Sequence, residues 1–182
     1  MFLFDKLFGV FGKKDKGGEV MPAPVPVVPV PRAEEHVAPG TQIHYSPELI
    51  DRFKSDHQHL LGLFGAIKAA ASDGDVATAA THLDAFRGAL QGHLLTENVR
   101  LYVYLEHALA GDAQSHMLMH EFRHEMDEIG KAVVAFLGKY RDLASRPDLA
   151  SEFGHELDGI GKVLVQRIQR EEATLYPLYL PT

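Results

Sequence analysis

Imidazole and carboxylate side chains at helical spacing are the residues of this sequence that could do chemistry. His93 and Glu97 lie one helical turn apart, and Arg167 and Glu171 repeat that spacing near the C-terminus. Both pairs fall within apolar stretches, where a charged group must bind a metal ion or pair with another charge. The sequence contains eleven histidines and no cysteine. A metal site here must therefore use imidazole and carboxylate ligands, which suit iron, manganese or zinc.

Four long segments with helical periodicity are expected to position these groups. They cover about residues 46–72, 75–110, 113–143 and 148–175, and short turns separate them. Helices joined by such short links pack as antiparallel neighbours. The sequence therefore predicts an all-α fold, an up-down-up-down antiparallel four-helix bundle.

The apolar face of each helix determines which polar side chains point into this bundle. A residue is expected to face the core when it shares a helical face with leucine, isoleucine and phenylalanine at 3.6-residue spacing. His59, for example, falls almost opposite the apolar face of the first helix and is expected to be exposed. The polar residues predicted to face inward are His57, His93, Glu97, Arg167 and Glu171, with Glu172 further round the last helix.

Histidines of the third helix are spaced like a pair of metal ligands but project the other way. His120 and His124 lie four residues apart, whereas the apolar face of this helix contains Phe122 and Met126. The periodicity favours a solvated polar surface for both histidines. A rotated helix would bring them inward only by exposing Phe122 and Met126.

The N-terminal residues differ in composition from the predicted bundle. In residues 1–18, apolar side chains share one helical face and lysines follow, which is typical of an amphipathic helix that docks on an anionic membrane surface or in the groove of a protein partner. A hydrophobic helix that folds back on the domain is the alternative. Residues 19–44 form a linker rich in proline and valine, and residues 45–182 form the domain. The docking residues are Phe4, Leu7, Phe8 and Phe11.

Charge and composition exclude several classes of protein. A net charge of −7 argues against nucleic-acid binding, which requires a basic surface. No apolar run has the length of about 18 residues that spans a bilayer. We therefore expect a cytoplasmic protein, peripheral at the inner membrane surface if the N-terminal helix binds lipid. An enzyme is the weakest hypothesis, because the sequence contains no nucleophile-and-base pattern, phosphate loop or nucleotide fingerprint.

Three segments of the predicted bundle resemble the hemerythrin-like, or HHE cation-binding, family. They are DHQHLL at 56–61, HLLTEN at 93–98 and RIQREEATLYP at 167–177, and the resemblance covers about residues 45–179. It implies a four-helix bundle with a non-haem di-iron centre held by histidines and bridged by carboxylates. The functions that it implies are reversible oxygen binding, sensing of oxygen or nitric oxide, or iron handling.

The resemblance assigns roles to individual residues. It implies that His57 and His93 are histidine ligands and that Glu97 is a bridging carboxylate. Either Glu171 or Glu172 is the second bridge, and the apolar face favours Glu171.

The sequence also departs from the family pattern in two places. Arg167 stands where the fourth helix of the family has a histidine, and the third helix of this chain turns its histidines outward. A guanidinium group can occupy a cation position and donate to two carboxylates. Two hypotheses follow: a hemerythrin-like module that binds non-haem iron, and a metal-free or mononuclear bundle that an arginine–carboxylate network holds together for a regulatory or interaction role.

Overall fold

The computed structural model describes residues 36–182, which form an all-helical bundle. Four long helical segments make up the bundle, as the periodicity predicts. The first is α1, Leu49–Ser72, and the second begins with α2, Val76–Thr96, and continues through a π-helical segment, Glu97–Tyr102, into α3, Val103–Ala108. The predicted N-terminal docking residues lie outside the described residues.

The second half of the bundle has the same organisation. The third segment is α4, Ala113–Lys139, followed by two short 3-10 turns, Leu143–Ser145 and Pro147–Leu149. The fourth is α5, Ala150–Arg170, which continues into a second π-helical segment, Glu171–Leu175, and a 3-10 turn, Tyr176–Leu178. Among the helices of residues 36–182, none combines the length and the apolar character needed to cross a bilayer.

Side-chain caps fix where two of these helices begin. The Asp75 carboxylate accepts a hydrogen bond from the Thr78 backbone N–H at 3.0 Å, and α2 starts at the next residue. Asp112 caps α4 in the same way, accepting from the backbone N–H of Gln114 at 3.1 Å. These bonds satisfy amide groups that have no partner within the helix. The caps place both helix starts within a residue or two of the predicted positions.

A polar layer separates two apolar clusters along the bundle. One cluster contains Leu60, Leu90 and Leu157, and the other contains Phe53, Leu101 and Leu175. In α1, in the α2–α3 segment and in α5 with its extension, the polar inward residues lie between members of the two clusters. The bundle thus provides an apolar surrounding for the polar layer on both sides, which excludes water from it.

Close packing at Gly161 supports one wall next to this layer. A Cβ atom at Gly161 would lie 2.3 Å from the tip of the Phe64 ring, far inside van der Waals contact. We expect Gly161→Ala to displace Phe64 and lower the free energy of unfolding by about 1–3 kcal/mol, measured by urea titration. Gly159→Ala is the matched control, since that site is open and alanine favours helix there. Equal stability of the two variants would disprove the packing argument.

Candidate metal centre

Three buried side chains from three helical segments meet in the polar layer. One ligand atom each of His57, His93 and Glu171 lies within 4.8 Å of the other two. His57 comes from α1, His93 from α2, and Glu171 opens the π-helical extension of α5. Their exposed fractions are 1%, 5% and 3%. Two imidazoles and one carboxylate form a ligand set that suits a divalent transition metal.

Both ring nitrogens of His57 have acidic partners. Its Nδ1 lies 2.8 Å from Glu172 Oε1, and its Nε2 lies 3.3 Å from Glu171 Oε2. Burial disfavours the charged imidazole, but the hydrogen bonds to Glu171 and Glu172 outweigh that effect and raise the pKa of His57. Metal-ligating histidines typically donate the second ring N–H to a carboxylate, which orients the ring. Glu172 supplies such a carboxylate to His57.

His93 has a similar arrangement with a weaker partner. Its Nδ1 lies 3.6 Å from Asp56 Oδ2, too far for a hydrogen bond, and it has no other partner. Burial and the nearby charge of His57 lower the pKa of His93, which favours the neutral imidazole that binds metals. A neutral imidazole that donates from Nδ1 leaves its other ring nitrogen free to bind a metal ion. The donor set therefore fits a bound metal ion.

Glu97 lies beside this triad, and no cationic side chain of the described residues is in hydrogen-bonding contact with it. Its side chain is 1% exposed, and the Tyr176 hydroxyl donates to its Oε1 at 3.5 Å. Burial, together with the charge of Glu171, raises the pKa of Glu97 to about 8. A carboxyl group in such a site becomes ionised more readily when a cation lies next to it. Glu97 thus lies next to the triad, but it is not a member of the cluster whose ligand atoms lie within 4.8 Å of one another.

Arg167 occupies the other side of the layer. Its Nε donates to Glu171 Oε1 at 2.5 Å, and one Nη donates to the Tyr102 hydroxyl at 2.6 Å. The other Nη donates to the backbone carbonyl of Phe122 and to Glu125 Oε2, both at 3.1 Å. The guanidinium also lies over the Phe122 ring, 4.8 Å from its centroid. A single buried cation thus links α5 to α4 and to the extension of α2.

The two carboxylates of the layer occupy equivalent places in two similar stretches. HLLTENVRLY at 93–102 and RIQREEATLY at 167–176 share a glutamate at the fifth position, a leucine at the ninth and a tyrosine at the tenth. In both, the helix becomes π-helical at the glutamate. Local π-helices are frequent at functional sites. Histidine opens the first stretch and arginine the second, so Arg167 is the counterpart of His93.

The structure does not bring the third-helix histidines to this centre. His120 and His124 lie on the exposed side of α4, and Phe122 is buried instead, with Met126 half-buried. His120 packs against His116, with ring centroids 4.5 Å apart. Of the eleven histidines, all of which lie in the described residues, His57 and His93 are the two that are buried.

Glu172 also differs from its implied role as a bridge. It is 31% exposed and lies behind His57, away from His93. Glu171 is the carboxylate that lies with both histidines, as the apolar face of the helix predicts.

A small apolar cavity adjoins the triad. It has a volume of about 30 Å³, and His57, His93, Arg167 and Glu171 form part of its wall. This space admits one or two molecules of the size of water. The remaining wall is apolar and includes Leu60, Phe64, Phe86, Leu90 and Leu164.

Four partners of the site are absent from the sequence-based prediction. Tyr102 and Tyr176 could have been found from the repeat described above, because each stands at the same distance from its glutamate. Asp56 and Glu125 carry no such signal, since each is a half-buried acid on a helix with several acids and only the packing selects it.

Comparison with known proteins agrees with the helical fold. The model of the hemerythrin HHE cation-binding domain matches residues 48–179, which include every helix described above and all the ligand candidates. No curated protein and no solved structure matches the chain significantly. The bundle brings two buried histidines and a glutamate together around one point, and the family model matches most of its length. The chain therefore belongs to the hemerythrin HHE cation-binding domain family.

Proposed function

We propose that this chain is a hemerythrin-like module that binds one non-haem iron ion through His57, His93 and Glu171, with Glu97 as an additional carboxylate. The convergence of one ligand atom from each member of the triad within 4.8 Å is the observation that carries this proposal. Two histidines and one carboxylate are the ligand set of many non-haem Fe(II) proteins. The short links at residues 73–75 and 109–112 support an up-down-up-down course of the helices.

One iron ion rather than two is proposed because of Arg167. The guanidinium takes the place of the histidine that would open the second ligand set, and it already neutralises Glu171 on that side. A second cation next to it would meet a buried positive charge at close range. When bound, the single iron would supply a Lewis-acidic centre with affinity for small ligands such as oxygen or nitric oxide.

The apolar cavity supports a diatomic gas as the ligand of that centre. Its volume of about 30 Å³ suits a molecule of a few atoms, and its walls offer few hydrogen bonds to larger polar ligands. Oxygen and nitric oxide are small and weakly polar. We therefore propose gas binding or sensing as the role of the loaded module.

The second candidate is a metal-free bundle with a regulatory or interaction role. It is favoured by the Arg167 network, in which four donor contacts and stacking on Phe122 stabilise the bundle without a metal. The two candidates differ in what a metal ion does to the fold.

Metal-dependent stabilisation of the full chain tests the proposal. A ligand that binds only the native state raises the melting temperature as its concentration exceeds the Kd. We expect anaerobic Fe²⁺, and to different extents Mn²⁺ and Zn²⁺, to raise the melting temperature of the metal-stripped protein, and Mg²⁺ to have no effect. No rise with any transition metal would favour the metal-free bundle.

Glu172 provides a finer test of the same centre. We expect Glu172→Gln to weaken iron binding by about 10–100-fold, because His57 loses the anion that orients and polarises its ring. Calorimetric titration with Fe²⁺ measures the change. Glu121→Gln, an exposed acid on α4, is the control and should bind iron as the unmodified chain does. Equal affinity in both variants would rule out this role for Glu172.

A further inference from the structure

We propose that Tyr176 is a phenolate ligand of a ferric ion bound at the triad, an inference that rests on the proposed function. The Tyr176 hydroxyl oxygen lies 3.2 Å from His57 Nε2 and 3.5 Å from Glu97 Oε1. Atoms bound to one metal ion at bond lengths of about 2.0–2.2 Å lie about 3.0–3.4 Å from one another. The oxygen is thus as far from the His57 ligand nitrogen as Glu171 Oε2, at 3.3 Å, is.

The surroundings of Tyr176 hold its ring in this place. The ring packs nearly parallel to His57, with centroids 5.7 Å apart and planes at 12°, and stacks on Phe53 at 5.8 Å. Tyr176 follows the π-helical segment directly and is 3% exposed. A side chain fixed by packing on two aromatic rings loses little further freedom when it coordinates. Its oxygen lies 3.2 Å from the Nε2 atom of one triad member, His57, in the bundle as it stands.

The other buried tyrosine of the polar layer has a different hydrogen-bond partner. Tyr102, the counterpart of Tyr176 in the repeat, accepts a 2.6 Å hydrogen bond from Arg167. The Tyr102 oxygen therefore faces the Arg167 guanidinium, which is itself a cation. This difference between the two tyrosines follows from the first residue of each stretch. Arg167 donates to Tyr102, whereas no arginine contacts Tyr176 in the described residues.

A ferric–phenolate bond has a spectroscopic signature that a structural tyrosine lacks. Charge transfer from phenolate to ferric iron gives a visible absorption band, and excitation in that band enhances the tyrosinate ring modes in resonance Raman spectra. We expect the full chain, loaded with one equivalent of ferric nitrilotriacetate, to show both. The Tyr176 O–H bond breaks as its oxygen binds the ferric ion, and the displaced nitrilotriacetate takes up the proton. Tyr176→Phe should lose the band completely. It should also bind ferric iron at least about tenfold more weakly, which is the smallest loss expected when a residue that supports a metal ligand is removed.

Tyr140→Phe is the matched control, because it removes the same hydroxyl from an equally buried ring that lies in an apolar cluster and outside the polar layer. It should retain the band. Bound iron without a band in the unmodified chain would overturn the assignment of Tyr176 and leave the proposed iron site standing. A band that survives Tyr176→Phe, or that Tyr140→Phe removes, would also overturn the assignment. Failure to bind iron at all would overturn the proposed function and this inference with it.

Discussion

Replacing Arg167 with leucine is expected to lower the free energy of unfolding by about 3–5 kcal/mol, the usual loss when one partner of a buried ion pair is removed. Within residues 36–182, the change leaves Glu171 with His57 as its only remaining ionic partner. It also leaves the Tyr102 hydroxyl and the Phe122 carbonyl without the donor they have in the structure. Urea titration of the metal-stripped protein measures the loss.

Two further variants identify which interaction causes this loss of stability. Arg170→Leu removes an exposed arginine that contacts the same Glu125 and lies over the same Phe122 ring, and should cost no more than about 1 kcal/mol. Arg167→Met combined with Glu171→Met removes both partners and should regain much of the stability, since paired removal leaves no unpaired charge. A single Arg167→Leu variant as stable as Arg170→Leu would contradict the proposed role of the network.

Replacing His93 with leucine is expected to reduce affinity for Fe²⁺ by at least about 100-fold, because it removes one of the two proposed histidine ligands. Loss of a residue that only supports a ligand costs up to about 100-fold. Leucine of similar volume also removes an imidazole whose Nδ1 has no hydrogen-bond partner. The metal-free variant should therefore be more stable than the unmodified chain by about 1 kcal/mol. Such opposite effects on binding and stability are typical of functional residues.

Calorimetric titration with Fe²⁺ measures the iron affinity of this variant, and urea unfolding measures its stability. His120→Leu, at an exposed position of α4, is the control, and it should leave iron affinity unchanged. If His93→Leu destabilises the metal-free chain and leaves iron affinity intact, His93 is a structural residue and the proposed ligand set is wrong.

The helical periodicity carries most of the information about fold and site. Apolar residues on one face of each segment indicate four helices, and the same projection distinguishes the buried His57 and His93 from the exposed His120 and His124. This works because an amphipathic helix has one stable orientation against an apolar core. Burial of Arg167 follows from the same argument.

The partners across the bundle could not be predicted in this way. That Arg167 contacts Tyr102 depends on how α5 is placed along the extension of α2, and a single sequence does not encode that offset as a local pattern. The role of Glu172 depends on its 2.8 Å contact with His57 across the bundle, and Glu172 lies in a π-helical turn that begins at Glu171. Periodicity assumes a regular helix and cannot locate such a turn.

The number of iron ions bound per chain tests the account most directly. The full chain is loaded anaerobically with excess Fe²⁺ and freed of unbound metal, and iron is then measured by plasma mass spectrometry against protein from amino-acid analysis. With His57, His93 and Glu171 as ligands and Arg167 filling the neighbouring position, we predict one iron ion per chain. Two ions per chain would show that Arg167 does not exclude a di-iron centre, and none would contradict metal binding itself.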